Sequence, residues 1–264
     1  MSFTELEQEF LKSLMVDGVI CNEVKLLQGS GSVDVFNLEE IEAMLSGSRI
    51  TSDRVRFYRD QHNLSNSILL LGKNKDGQQA YYLRNDKLNN ALLKGGTLAL
   101  DSIDEYFGYF SETTNKISML LKCESSANLY VSYGNSSGFG EHSDDHHVLV
   151  KQLCGKKRWM FEGGTKSIVL QEGDLLFVPK GILHDPAAET NRSLHVTYSI
   201  VRPTLNDFLD WAVKNKENYN TDNFDIRDKG YFPELHKIMA DFIIHRDDKA
   251  RAIRHYKETR MFPK

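Results

Sequence analysis

Between Asn128 and Ile200 the apolar residues come in short runs or alternate with polar ones. Gly, Asn, Lys-Gly or Glu-Gly turns separate the runs. LYVSY, HVLVKQL, KRWMF, SIVL, DLLFVP and LHVTYSI each read as a strand. Strands this short and this closely spaced predict a mainly β domain with flanking helices, built as a jelly-roll or cupin-like double sheet. Pro179 ends one run and Lys180-Gly181 turns the chain, so that the next strand opens at His184.

The flanks follow a different period. Thr4 and Glu7 form a capping-box pattern ahead of a helical stripe of Leu6, Phe10, Leu14 and Met15, which predicts a helix ending before Gly18. A second box at Asn37 to Glu40 predicts a short helix, with QGSGS at 28–32 as a loop between the two. RVRFYR alternates with Val55 and Phe57 on one face. SILLLG reads as a more buried strand, joined through Asp76-Gly77 to AYYLR. Ser102 and Glu105 are expected to cap a helix carrying Ile103, Tyr106, Phe107 and Phe110, with further helical turns around Ile117 to Leu121. After Arg202, Leu205, Phe208, Leu209 and Ala212 form one helical stripe, and Leu235, Ile238, Met239 and Phe242 form another. The expected division is a domain over 1–202, with its β core at about 126–202, and a helical extension over 203–264 suited to dimerisation.

Composition narrows the class only modestly. Of 264 residues 40% are hydrophobic, enough to build a core, and the net charge of −4 offers no general attraction for nucleic acid or an anionic membrane. His245 to Lys264 holds seven Lys/Arg against three Asp/Glu, which reads as a solvated helix face. Three widely spaced cysteines, Cys21, Cys123 and Cys154, fit reduced thiols rather than a disulfide framework. The acidic start MSFTELEQEF does not have the form of a secretory signal, and apolar runs such as ILLL are too short to span a bilayer. A soluble cytoplasmic protein is expected.

Candidate chemistry gathers inside the β region. His142 and Asp144 stand two apart after a Gly-rich loop, so on an extended strand both point to one face. His184 follows 42 residues after His142, in GDLLFVPKGILH. Two histidines and a carboxylate are the protein ligands of the facial triad that holds non-haem Fe(II) with open positions. Asp174 reads as a turn residue, Trp159 and Phe161 as core, and Phe139 as a pocket-lining candidate. His146, His147 and His195 read as hydrogen-bonded structural residues.

The segment NLYVSYGNSSGFGEHSDDHHVLVKQLCGKKRWMF resembles the core of JmjC-type, cupin-fold Fe(II)/2-oxoglutarate oxygenases, and is most similar to their ribosomal oxygenase branch. GGTLALDSIDEYFGYF resembles that branch's lead-in. The resemblance implies metal ligation by His142, Asp144 and His184. It places the basic residue for the far carboxylate of 2-oxoglutarate at Lys157, and supporting hydroxyls at Tyr130 and Thr197. It also implies O2 as cosubstrate, and hydroxylation of an unactivated C–H bond with release of succinate and CO2; on an N-methyl carbon the same step ends in demethylation. The branch's enzymes carry a helical dimerisation region and a winged-helix domain after the β core, more than the roughly 60 residues seen here would hold. A protein or peptide side chain is the expected substrate, with a small molecule or natural-product intermediate as the alternative. Two readings from other classes stand beside these: a non-catalytic metal-binding cupin module, against which the intact triad, Lys157 and Tyr130 count, and a Zn or Mn cupin, against which Asp144 counts.

Overall fold

The structure is a computed structural model that describes residues 3–29, 50–74, 76–134, 138–219, 233 and 235–243. The helix expected to start at Asn37 and most of the 28–32 loop lie outside them. The chain divides into two compact units, Met1–Ile200 and Val201–Lys264.

The first unit opens with α1 (Glu5–Ser13), capped in both directions: Glu7 N–H donates to Thr4 Oγ1 at 3.2 Å, and Thr4 N–H to Glu7 Oε2 at 2.8 Å. The buried face matches the expected stripe in part, with Phe10 and Met15 half-buried against the core. Leu11 and Leu14 face the core, whereas Leu6 is exposed. Glu7 is buried too, because its Oε1 lies 2.9 Å from the Lys151 ammonium. A buried acid is tolerated there only because it is paired.

A short hairpin, β1 (Met15–Val16) and β2 (Val19–Ile20), turns at Asp17-Gly18 with positive φ at both residues. The main body is an eight-stranded antiparallel sheet. Its strands are β3 (Lys25–Leu27), β4 (Val55–Arg59), β5 (His62–Asn63), β8 (Gly96–Leu100), β9 (Ala127–Tyr133), β10 (His147–Cys154), β13 (Leu175–Val178) and β15 (Arg192–Ile200). They lie side by side as β3-β13-β10-β15-β9-β8-β4-β5. A three-stranded sheet orders β12 (Lys166–Leu170), β11 (Lys157–Phe161) and β14 (His184–Ala188). The expected mainly β, double-sheet architecture is what the chain adopts.

Why Val148, Leu149 and Val150 run together with no polar residue between them is visible in their surroundings. Val148 and Val150 of β10 pack with Trp159, Phe161, Leu170, Leu176 and Val178 between the two sheets. Leu149 and Leu153 point the other way, into the core shared with Leu11, Phe110 and Ile117. A strand covered on both faces loses the polar half of its alternation.

Two expectations on the flanks are corrected. SILLLG is not one buried strand: Ser65–Ile68 is a 3₁₀ turn, and β6 (Leu69–Lys73) pairs only with β7 (Gln79–Leu83). In that ribbon Leu70 and Leu71 are 43% and 46% exposed, although the Asp76-Gly77 turn forms as expected. Ser102 caps no helix, because its N–H donates to Asn128 Oδ1 at 3.0 Å and its φ is 55°. After α2 (Asn85–Leu92), the regular helix here is α3 (Gly108–Leu121). Asp104, buried and accepting from Ala127 N–H at 2.9 Å, ties the intervening turn to β9 instead.

In the second unit α4 (Leu205–Lys214) starts from a Thr204/Asp207 capping box. Phe208 and Trp211 pack on Phe242 of the helical stretch 235–243, at 5.5 and 5.6 Å between ring centres. Leu205, Leu209 and Met239 are exposed, so only part of each expected stripe is covered. No helix among the described residues is long and apolar enough to cross a membrane, and the three cysteines are free thiols.

Candidate metal centre and adjoining pocket

His142 and His184 come together through backbone pairing. His142 N–H donates to His184 C=O at 3.0 Å and His184 N–H to His142 C=O at 2.8 Å. That reciprocal pair places both imidazoles on one side, 4.5 Å apart between ring centres. His142 and Asp144 therefore sit on the approach to β10 rather than inside a continuous strand, which corrects the expected geometry without separating the two side chains. Asp144 is held by its own backbone, whose C=O accepts from Gly181 N–H at 2.9 Å. One ligand atom from each of His142, Asp144 and His184 lies within 4.8 Å of the other two. His184 Nε2 is 3.6 Å from Asp144 Oδ2.

The donor set fits a divalent metal on its hydrogen bonding alone. His142 Nδ1 is 2.8 Å from Gly140 C=O, and His184 Nδ1 is 2.9 Å from Ile182 C=O. A carbonyl can only accept, so each Nδ1 carries the proton and each Nε2 presents a lone pair toward Asp144. Burial lowers the pKa of His184, and the nearby His142 acts in the same direction, so the neutral ligating form is favoured. Trp159 stacks on the His184 ring at 5.3 Å and fixes its plane.

The three residues line a cavity of about 400 Å³ between the two sheets, a volume typical of small-molecule sites. Lys157, Tyr130 and Thr197 line it as well. Lys157 is 2% exposed, and among the described residues its ammonium pairs with no carboxylate. Its partners are Ser132 Oγ at 3.1 Å and His195 Nδ1 at 3.4 Å. Desolvation alone brings its pKa down from 10.5 to about 7. A buried cation without a counter-ion is a standing invitation to an anion.

Phe139 lines the cavity as expected, packed on Tyr58 at 4.3 Å and on Tyr130 at 5.8 Å. Trp159 is both core and wall. Asp174 is a turn residue as expected, its carboxylate accepting from Gly29 and Gln171 N–H groups, both at 2.8 Å. His147 is structural: its Nδ1 accepts from Lys180 N–H at 3.2 Å and its ring stacks on Phe177. His146 and His195 are hydrogen-bonded as expected, to Asp145 Oδ1 at 2.7 Å and to the Lys157 ammonium at 3.4 Å, and both also line the cavity.

Arg56, Tyr58, Thr97, Asn128 and Ser132 were not anticipated. The first four line the cavity, and Ser132 bridges Lys157 to Thr97, whose Oγ1 is 3.0 Å from the Ser132 hydroxyl. Arg56 spans Asp101, with contacts of 3.1 and 2.6 Å, and lies over the Phe139 ring. The loop before His142 also has a steric requirement. A Cβ at Gly138 would stand 2.8 Å from Thr97 Oγ1, so only glycine lets the loop lie against β8.

The family model described as a JmjC domain matches residues 107–167 and 163–208. The bifunctional lysine-specific demethylase and histidyl-hydroxylase NO66 of Aedes aegypti is 29% identical over 170 residues, covering 53% of this chain and 26% of that protein. Its namesake in Drosophila persimilis is 30% identical over 127 residues, covering 40% of this chain and 18% of that protein. The chain thus spans about a quarter or less of the length of these relatives. Among solved structures, YcfD, a ribosomal oxygenase from Escherichia coli, superposes with a TM-score of 0.53 at 16% identity, over 84% of this chain and 63% of that one. The same protein in complex with cobalt and 2-oxoglutarate gives the same score. Residues 107–208 thus match a JmjC domain, and the double sheet with its clustered His-Asp-His side chains is similar in fold to the solved ribosomal oxygenase.

Proposed function

We propose that this protein is an Fe(II)- and 2-oxoglutarate-dependent oxygenase that hydroxylates an unactivated C–H bond of a protein or peptide side chain. The observation that carries the reading is a pairing of two features in one cavity. A His142-Asp144-His184 cluster with both imidazole tautomers fixed for ligation stands beside a buried, uncompensated Lys157. A metal-chelating anion with a second, distant carboxylate satisfies both at once.

Iron with 2-oxoglutarate and O2 supplies the oxidising chemistry, consuming the cosubstrate to succinate and CO2 while one oxygen atom enters the substrate. The chain's own residues hold, orient and shield. His142, Asp144 and His184 would hold the metal and leave its remaining positions open. Lys157 would pair with the far carboxylate, its charge restored by the partner it otherwise lacks. Hydroxyls of Tyr130 and Thr197 line the same cavity and would donate to the remaining lone pairs of that carboxylate. Trp159, Val148, Pro186 and Phe139 supply apolar wall that excludes water from the reacting centre. The names of the relatives, a lysine demethylase and histidyl-hydroxylase and a ribosomal oxygenase, favour a protein substrate over a small metabolite.

The test is succinate release by the Fe(II)-loaded full chain with peptide and ribosomal-protein substrates, read with mass spectrometry of the substrate. A substrate mass gain of one oxygen atom, stoichiometric with succinate and absent in His184→Ala, is expected. Equal succinate release by the wild type and His184→Ala would reject the assignment.

A further inference from the structure

His195 enters none of the roles above, yet its ring is packed on two sides and faces Lys157 on a third. It is 2% exposed and stacks on Tyr130 at 4.7 Å with 5° between planes. Trp159 meets it edge-on at 5.8 Å. Its Nδ1 faces the Lys157 ammonium at 3.4 Å. Burial, with the Lys157 charge acting in the same direction, holds the ring neutral. A neutral ring beside an ammonium can be bound to it in one way only, with Nδ1 as acceptor and the ring proton on Nε2.

An ammonium has three N–H donors. Ser132 Oγ takes one at 3.1 Å and is itself held by Thr97 at 3.0 Å. His195 takes the second, which leaves one N–H for a ligand. Two fixed acceptors determine the direction of the third donor, because the ammonium is tetrahedral. A flexible four-carbon lysine side chain would otherwise distribute that donor over many rotamers.

We propose that His195 is a positioning residue that, as the neutral Nε2-protonated tautomer, accepts from Lys157 and so directs its remaining N–H at the bound carboxylate. The assignment rests on the proposed function for the identity of that carboxylate, but not for the Lys157–His195 contact itself. His195 also adds no charge of its own, so the recognition site stays singly positive. The other charged or titratable groups sharing the cavity are Arg56, neutralised by Asp101, Tyr58, Tyr130, His146 and the His142-Asp144-His184 cluster.

The experiment uses the full chain, loaded with redox-silent Mn(II) for the binding arm and metal-free for the nuclear magnetic resonance arm. The first readout is the imidazole ¹⁵N spectrum of His195 in the wild type. A neutral ring protonated at Nε2 is expected, and a ring protonated at Nδ1 overturns the proposal whatever the variants do. The second compares His195→Leu with His195→Gln, whose amide oxygen can replace the acceptor. The leucine variant is expected to lower the Lys157 pKa and weaken 2-oxoglutarate binding by about tenfold to a hundredfold, as loss of a hydrogen bond to a charged group should. Its pH profile of binding should shift with the lysine, and glutamine should restore most of both. Wild-type lysine titration and affinity in a folded leucine variant would show His195 to be packing alone. If Lys157 titration depends on His195 while no form binds 2-oxoglutarate, the positioning role stands and the proposed function fails.

Discussion

The two faces of the large sheet are made by the same strands and differ in almost every respect. On β4, β8, β9 and β15, alternate residues Val55, Phe57, Leu98, Leu129, Val131, Leu194 and Val196 turn outward under the helices and are nearly all fully buried. Their neighbours Arg56, Tyr58, Thr97, Asn128, Tyr130, His195 and Thr197 turn toward the smaller sheet and line the cavity. The outer face follows the ordinary rule of burial. The inner face covers polar groups with a second sheet, which costs free energy unless those groups are paired or meet a ligand. Toward β10 and β13 the inner face turns apolar again at Val148, Val150, Leu176 and Val178, which closes the sandwich at that end. Stability therefore resides on one face and chemistry on the other.

The sharpest break of this division is His184→Ala. It should abolish metal retention and turnover while leaving the outer face, and so the urea midpoint of the metal-free protein, close to wild type; iron content and succinate release measure the first, equilibrium unfolding the second. Phe57→Ala should do the reverse. It removes a fully buried aromatic ring from the outer face, at a cost of about 3–5 kcal/mol of unfolding free energy. Below its lowered unfolding midpoint the variant should still bind iron stoichiometrically.

Lys157→Met tests whether the inner face trades stability for binding. Losing the charge should weaken 2-oxoglutarate binding by about 2–5 kcal/mol, the range for a truncated buried charge pair. The same change should raise the stability of the ligand-free protein, since it removes a buried cation with no counter-ion. Calorimetric binding and urea unfolding of one sample report both.

The smallest effect is on pH. The folded-state pKa of Lys157 lies near 7, below its ordinary 10.5, so the unfolded chain binds more protons between those values. Its contribution to the stability of the ligand-free protein therefore rises with pH across that window. Cosubstrate binding needs the charged form and should weaken by up to about tenfold per pH unit above neutrality. Binding that does not vary with pH there would remove Lys157 from the carboxylate site.

How much of this the sequence shows follows from the same division. The uninterrupted apolar runs at 148–150 and 175–178 announce covered strands because consecutive apolar residues supply both faces. His142, Asp144 and His184 stand out through residue type and spacing. Lys157, Tyr130 and Thr197 are reached through the resemblance and Phe139 by its place beside the first ligand, whereas the remainder of the cavity wall does not stand out. Asn128, Tyr130 and Ser132 alternate with Leu129 and Val131, the pattern of a strand with one face in water. Nothing local tells that a second sheet covers those polar positions, so Ser132 and Arg56 go unnoticed and His195 reads as merely structural. The available signal is combinatorial: a polar strand face in a predicted double sheet already carrying metal ligands. Propensity misleads on the flanks for a comparable reason. Ser102 and Glu105 satisfy a capping pattern, but Asn128 takes the Ser102 N–H and Arg54 takes the Glu105 carboxylate, the two groups that the box would pair.

The most direct measurement of the central claim is an anaerobic titration of the metal-free full chain with Fe(II) and then 2-oxoglutarate, followed in the visible. A weak metal-to-ligand charge-transfer band that saturates with 2-oxoglutarate in the wild type, and is absent in His184→Ala, is the predicted result. Stoichiometric iron binding with no such band would contradict the account, because the cavity would then hold a metal without the cosubstrate that Lys157 is proposed to receive.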